Sequence, residues 1–593
     1  MREFRDRTIY FILTDRFFDG DPDNDMGKNS ALYDPTRTNW YKYWGGDLKG
    51  IIDKLDYIQG MGISAIWITP VFDQIDNVIS AGGHLMAGYH GYWAKDFKRI
   101  DEHLVDKLED IRVFASNNTV FDRLISELHR RNMCLVLDVV CNHSNPHIEG
   151  GRGELYDDGV RIASYDKDTK GWYHHCGNVE DWNDLSQVQR CDLCSLSDFN
   201  EDSIDFRNYI KTAIKMWLGK GVDALRVDTV KHMPLWFWQE FTGDILSFKP
   251  DIFMFGEWFM GGVYDKASVE FVNKSGMSMI DFSLQQAIDN ALAYDSYEGF
   301  YELANVISRD GEINTATELI TFVDNHDMPR FLSKRNDQKR LKMAIDFIMV
   351  ARGIPCIYYG TEQYLHNDTN GGGDPYNRPM MERWDRDTPI YKDIKKLADL
   401  RKINPAIQKG SMITKYLTRD IYVFLRQYMG SFCLVGMNKG DDTEITLENL
   451  WIWDGTYEDV LGGEKIKVKD GKTLMYLPRD KVCVYSFIAP PVSGKTVITL
   501  QVNGYSTRYG EEIYVIGDCP ELGNWDLAKA KKLEYINSNT WCVDIPFNES
   551  AGKFIRYKYV VISDRFVRRE SGIGHYRLLP KEGRENWRDD WTY

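Results

Sequence analysis

Nowhere in its 593 residues does this chain hold the ~20 uninterrupted apolar residues that a membrane span needs, so no transmembrane helix is expected. It also lacks a basic block. Lys and Arg number 73 against 89 Asp and Glu, a net charge of −16, which argues against nucleic acid or an anionic membrane as partner. The opening stretch MREFRDRTIYFILTDRFFDG has neither the apolar core nor the small-residue cleavage site of a signal peptide. The expectation is an extracellular protein in mature form, with a cytoplasmic one as the alternative. No second CxxC accompanies Cys191 and Cys194, so those two read as a possible disulfide or, less favourably, a metal pair. Internal repeats and low-complexity segments are missing too. The length exceeds what one core supports, since single cores stop growing near ~250–300 residues, so several domains are expected.

Aromatic rings are abundant: 17 Trp and 34 Tyr, many in polar, Gly-rich stretches. Rings with polar tips suit sugar faces, although core packing uses them as well. Eight apolar strand-like runs alternate with helical segments over about 400 residues: TIYFILTDRF, AIWITPV, CLVLDVVCNH, ALRVDTV, IFMFGEW, SMIDF, LITFVDNHD and CIYYGTE. This order predicts an α/β chain folded as a (β/α)8 barrel over 1–404, with a small inserted domain at 144–200. Shorter strands follow, an all-β domain over 405–489. PPVSGK reads as a linker, and 494–593 as a second all-β unit.

Within ALRVDTVKH, Arg226 and Asp228 lie two apart on a strand and face the same side. Other runs also end in ionisable residues: Asp138 with Asn142 and His143, Glu257, and His326 with Asp327. Catalytic groups of barrel enzymes sit at the C-terminal strand ends. These carboxylates, with an Arg and two His on one rim, suit glycosidic chemistry, which needs a nucleophile or base and a protonated acid.

DVVCNH, LRVDTVKH, GEW and FVDNHD, in that order, resemble the four signature regions of the α-amylase superfamily, glycoside hydrolase family thirteen. YHGYWAKDF, upstream, resembles the branch that holds cyclodextrin glucanotransferases and related amylases. The resemblance implies that Asp228 is the nucleophile, kept ionised by Arg226, and that Glu257 is the acid and base. Asp327 would bind sugar hydroxyls and distort the ring, helped by His143 and His326. Tyr92 would stack under the reacting sugar, between His90 and Trp93 of the same motif. A retaining outcome follows, with carboxyls roughly 5–5.5 Å apart.

The resemblance also implies Ca2+, one or two structural ions. The acidic loop DGDPDND supplies Asp19, Asp21, Asn24 and Asp25, joined by Gly45 and Asp47, a set of hard oxygen ligands. A second ion would use Asn142, Asp198 and the carbonyls of His232 and Gln189. Donor-side sugars would meet Asp374 and Arg378; acceptor-side sugars would meet Trp182 and Phe259, with Lys231 and His232 nearby. Cys194 departs from cyclising glucanotransferases, which place a large aromatic there.

GEEIYVIGDCPELGNWDLAKAKKL and KFIRYKYV resemble the starch-binding module of family twenty. Trp525 and Lys558 match one sugar site, whose second tryptophan is replaced near Arg569. Tyr509, Tyr535 and Trp541 match the other. The immunoglobulin-like domain that glucanotransferases insert before this module is missing. The expected function is retaining, endo-acting hydrolysis of α-1,4-glucosidic bonds in starch by a monomer. The alternatives are a 4-α-glucanotransferase, favoured by Phe259 and Lys231, and a non-catalytic glucan-binding protein, disfavoured by three intact carboxylates.

Overall fold

The computed structural model describes residues 3–593 except 82, 107, 113, 115, 116, 149 and 150. Eight parallel strands carry the N-terminal two thirds: β1 (Ile9–Ile12), β2 (Ala65–Ile68), β3 (Cys134–Val139), β4 (Ala224–Val227), β5 (Phe253–Gly256), β6 (Ser278–Met279), β7 (Ile320–Thr321) and β8 (Ile354–Tyr358). Their order is β6-β5-β4-β3-β2-β1-β8-β7, and a parallel bridge from Ile280 to Ile320 joins the two ends into a barrel. Each strand is buried along its whole length. Helices cover the outside and side chains fill the inside, which is why these runs are apolar throughout rather than alternating. The ordered strands are shorter than the apolar runs, because the polar residues that end each run already belong to the loops above the barrel.

Local chemistry sets the helix ends. Ile204–Lys220 starts at Ser203, whose hydroxyl accepts from the Phe206 N–H, and stops at Gly221 with φ 113°. Val120–Arg130 begins with a reciprocal capping box between Thr119 and Asp122.

The segment after β3, expected as a small inserted domain at 144–200, shares a sheet with the excursion after β2. Its strand Leu155–Asp157 pairs with Ala94–Ile100, which also pairs with Phe72–Gln74, so the excursion after β2 completes the sheet. Cys176 pairs with Cys191, and Cys194 is a free, exposed thiol, so the pairing of Cys191 with Cys194 is corrected. The polar loop 176–191 closes before Cys194, which lies beyond it at a φ of 50°.

Beyond the barrel, Ser411–Leu417, Ile421–Tyr428, Ser431–Asn438 and Lys481–Phe487 form one antiparallel sheet. The last hundred residues form two more sheets around Ile498, Val515, Trp541 and Tyr559. This last unit is docked rather than tethered. The Lys409 ammonium meets Asp544 at 2.7 Å, Tyr428 donates to the same carboxylate at 2.8 Å, and all three are buried. Met429, at the hairpin tip, packs against the core of this unit and against a small cluster at the joint, Ala406, Tyr428, Ile536 and Cys542.

Candidate active site

Arg226 and Asp138 lie side by side on β4 and β3, in register, and Phe255 is the matching residue of β5. One guanidinium then serves three carboxylates. Arg226 Nη1 is 2.8 Å from Asp138 Oδ1 and 2.7 Å from Asp228 Oδ1, and Nη2 makes a close ion pair with Glu257 Oε2 at 2.7 Å. Asp138 also accepts from Trp67 Nε1 at 3.0 Å and Tyr92 Oη at 2.8 Å, so it is spent on holding the Arg and the ring. Asp228 and Glu257 keep free oxygen for other partners; Glu257 Oε1 is buried with none. Thr229 takes a left-handed φ of 47°, a strained backbone for a β-branched residue, and turns the chain sharply just past Asp228.

Burial governs the protonation here. It pushes Glu257 up to about 8, despite Arg226 and with help from the negative charges of Asp327 and Asp228. It pushes Asp228 up to about 6 against the pull of Arg226, which alone would keep it ionised. Burial lowers His143 to about 3, and pushes His90 and His326 well below the usual imidazole range, the latter two with the nearby Arg378 charge. These rings are neutral at pH 7. His143 Nε2 and His326 Nδ1 are buried and unpartnered, and both residues line a cavity of about 520 Å³.

That cavity brings together most of the expected residues. Asp228, Glu257 and Asp327 line it, as do His90, Tyr92 and Trp93. Arg378 bonds Asp374 at 2.8 Å and approaches Asp327 at 3.5 Å, fixing one end. Trp182 and Phe259, 48% and 47% exposed, stand at the other with His232. Cys194 lines the wall. Lys231 does not; it sits in a short 3-10 turn outside the cavity. The role of Asp138 and the contribution of Tyr89, which accepts from Arg378 Nη1 at 3.1 Å, were missed. The signal for Asp138 was its register opposite Arg226, which periodicity alone does not give.

The two proposed cation loops carry orphaned oxygens. Asp19 Oδ1, Asn24 Oδ1 and Asp25 Oδ1 are buried without partners, and a Cβ on Gly45 would stand closest to Asp25 Oδ1. Burial holds Asp25 up to about 6. Asp47 is different: its Oδ1 accepts the Gly50 N–H at the start of the helix Leu48–Asp53, its Oδ2 accepts the Asp21 N–H of the acidic loop, and Asp21 Oδ1 accepts the Asp23 N–H. At the second place Asn142 Oδ1 and Asp198 Oδ1 are buried and unpartnered, while the Gln189 side chain bonds Met233. Among the described residues no three His, Cys, Asp or Glu side chains converge as a metal cage; these donor sets mix carboxylate, amide and main-chain oxygens.

In the C-terminal unit, Trp525 is half-buried beneath the Arg556 guanidinium at 5.3 Å, and Lys558 Nζ donates to the Gly572 carbonyl at 2.6 Å. Arg569 is exposed on the neighbouring strand and Tyr509 is fully exposed. Trp541 corrects the reading of the second site. It is 5% exposed in the core and supports the exposed Tyr535 edge-on, at 5.4 Å, so it offers no face to a sugar.

A parallel barrel that gathers three raised carboxyls around one arginine at its strand ends suits glycosidic chemistry. The chain belongs to the α-amylase family: the α-amylase catalytic domain matches residues 11–386, and a starch-binding domain matches 495–584. It is similar to a cyclomaltodextrin glucanotransferase of Klebsiella oxytoca, 36% identical over 92% of this chain and 87% of the other. An α-amylase of Niallia circulans is 37% identical over 78% of this chain and 86% of the other. A solved cyclomaltodextrin glucanotransferase with a three-domain ABC distribution is 40% identical, with a TM-score of 0.76, covering 82% of this chain and 99% of that one.

Proposed function

We propose that the chain is a retaining 4-α-glucanotransferase that cuts an α-1,4-glucan and passes the cut piece to a sugar hydroxyl, with water as a competing acceptor. The observation that carries this is the run of similar proteins named as cyclomaltodextrin glucanotransferases across most of the chain. The hydrolase expectation leaned on Cys194 and on a missing domain. The solved glucanotransferase of three-domain ABC distribution answers the second of these.

Asp228 attacks the anomeric carbon and forms a glycosyl ester as the C–O bond to the leaving sugar breaks. Glu257, protonated below about 8, gives its proton to the leaving oxygen. It then takes a proton from the incoming hydroxyl, which displaces Asp228 and restores the original configuration. One guanidinium bridging both carboxyls fits the short separation, roughly 5–5.5 Å, of retaining enzymes. Neutral His143 and His326 donate to sugar hydroxyls, and Asp327 with Arg378 grips the reacting ring. Trp182 and Phe259 give an incoming sugar an apolar surface that water cannot use. The orphaned oxygens of Asp19, Asn24 and Asp25, and those of Asn142 and Asp198, would hold Ca2+, which ties loops to the barrel.

Cys194 favours linear over cyclic products, since a thiol gives a glucan chain no ring to wrap around, and the Niallia α-amylase keeps hydrolysis as the second reading. Labelled maltose added to a starch digest tests the proposal. Transfer puts label into longer saccharides; label that stays in maltose and glucose supports hydrolysis.

A further inference from the structure

A second cavity, of about 490 Å³, opens between the hairpin Ile421–Asn438, the loop Leu450–Asp454 and the strand Glu534–Asn537 of the starch-binding domain. Three rings flank it while remaining open to solvent: Trp451 81%, Trp453 62% and Tyr535 43% exposed. A monomeric protein rarely leaves grouped rings uncovered without an interaction to serve.

These rings are held in place. Ile452, between the two tryptophans, packs into the neighbouring core, which turns its flanking residues outward. The Trp453 indole donates to the Gly430 carbonyl at 3.2 Å, and the Trp453 carbonyl accepts from Tyr457 Oη at 2.7 Å. Tyr535 rests edge-on against the buried Trp541. Met429 and Gly430, both at positive φ, form the floor of the groove at the hairpin tip.

The lining tells against a charged ligand. Its one charged side chain is Glu534, whose carboxyl burial pushes up, in a protein of net charge −16. Ser411, Gln427 and Ser431 supply hydroxyl and amide groups instead. Ring faces with neutral polar groups between them suit a sugar, which has an apolar face and hydroxyl edges. One wall belongs to the starch-binding domain itself, so a chain held there continues a surface that already meets glucan.

We propose that Trp451 and Trp453 extend the starch-binding domain's second sugar site, which Tyr535 matches, across the joint, so that rings of both domains hold one α-glucan chain away from the reaction cavity. This extended site rests on the glucan-active reading above. Its formation depends on the docked module: the buried Lys409–Asp544 pair holds the two walls together.

The test is granule adsorption by the full chain carrying Trp451→Ala and Trp453→Ala. Losing two ring faces weakens adsorption to raw starch about ten-fold, while turnover of maltopentaose and the melting temperature stay at the parent values. Trp451→Tyr with Trp453→Tyr restores most of the adsorption, because a smaller ring still stacks. Unchanged adsorption in the double Ala variant overturns the site. So does unchanged adsorption with a shift in sedimentation coefficient, which would make the groove an interface between copies. The readout is binding, so an enzyme that hydrolyses rather than transfers would leave the site standing while overturning the proposed function.

Discussion

Arg226 sets one guanidinium against three carboxylates, and burial decides which of them holds a proton. The proposed mechanism needs Asp228 charged and Glu257 protonated. As pH falls through about 6 the nucleophile is neutralised, and as it rises through about 8 the acid is lost. A kcat/KM profile measured on maltoheptaose should therefore be bell-shaped with limbs near those values; a flat profile between pH 5 and 9 would refute the assignment. Glu257→Gln should lower kcat by about 10³-fold, and Asp228→Asn at least as much, with starch binding retained. Near-parent turnover in either would place the chemistry elsewhere. The motif residues were legible because four runs end in ionisable groups that together match the four signature regions. Asp138 was not assigned its task, because which residues of two strands lie opposite depends on register.

At the scale of the element, exposure separates residues that spacing made alike. Trp525 and Trp541 both read as sugar-stacking rings, but Trp541 lies inside the core on the strand Thr540–Phe547. Trp541→Ala should cost about 3–5 kcal/mol of stability in the starch-binding domain, read by denaturant unfolding, while Trp525→Ala leaves stability near the parent. Equal costs would mean that Trp525 is structural too. The tryptophan pattern could not show this, since alternation along a strand names two faces without saying which one is wet. The loop 176–194 teaches the same lesson about cysteines. Among the described residues Cys194 is the exposed free thiol, and it lines the reaction cavity. Iodoacetamide should modify one cysteine in the native protein, and maltoheptaose should slow it in Asp228→Asn protein. Several cysteines labelled at once, or no protection by the sugar, would contradict the placement.

For the whole molecule, the barrel was legible from the order of eight apolar runs, and the joint between the last two all-β units was not. PPVSGK reads as a linker, yet Lys409, Tyr428 and Asp544 meet in a buried cluster that no local pattern announces. Removing one partner of a buried ion pair leaves a charge uncompensated, so Lys409→Ala should destabilise the full chain by about 3–5 kcal/mol. An unchanged unfolding curve would mean that the module is only tethered. Chelation should lower the melting temperature if the orphaned oxygens of the two loops hold Ca2+, since a ligand bound only by the folded state stabilises it. An identical melt in excess chelator would remove both ions from the account. The central claim is transfer through Asp228 and Glu257. Purified maltoheptaose, digested briefly by the full chain and separated by size, tests it most directly. Saccharides longer and shorter than the substrate should appear together from the earliest time, and neither in Asp228→Asn. Shorter products alone, with one new reducing end for every bond cut, would contradict it.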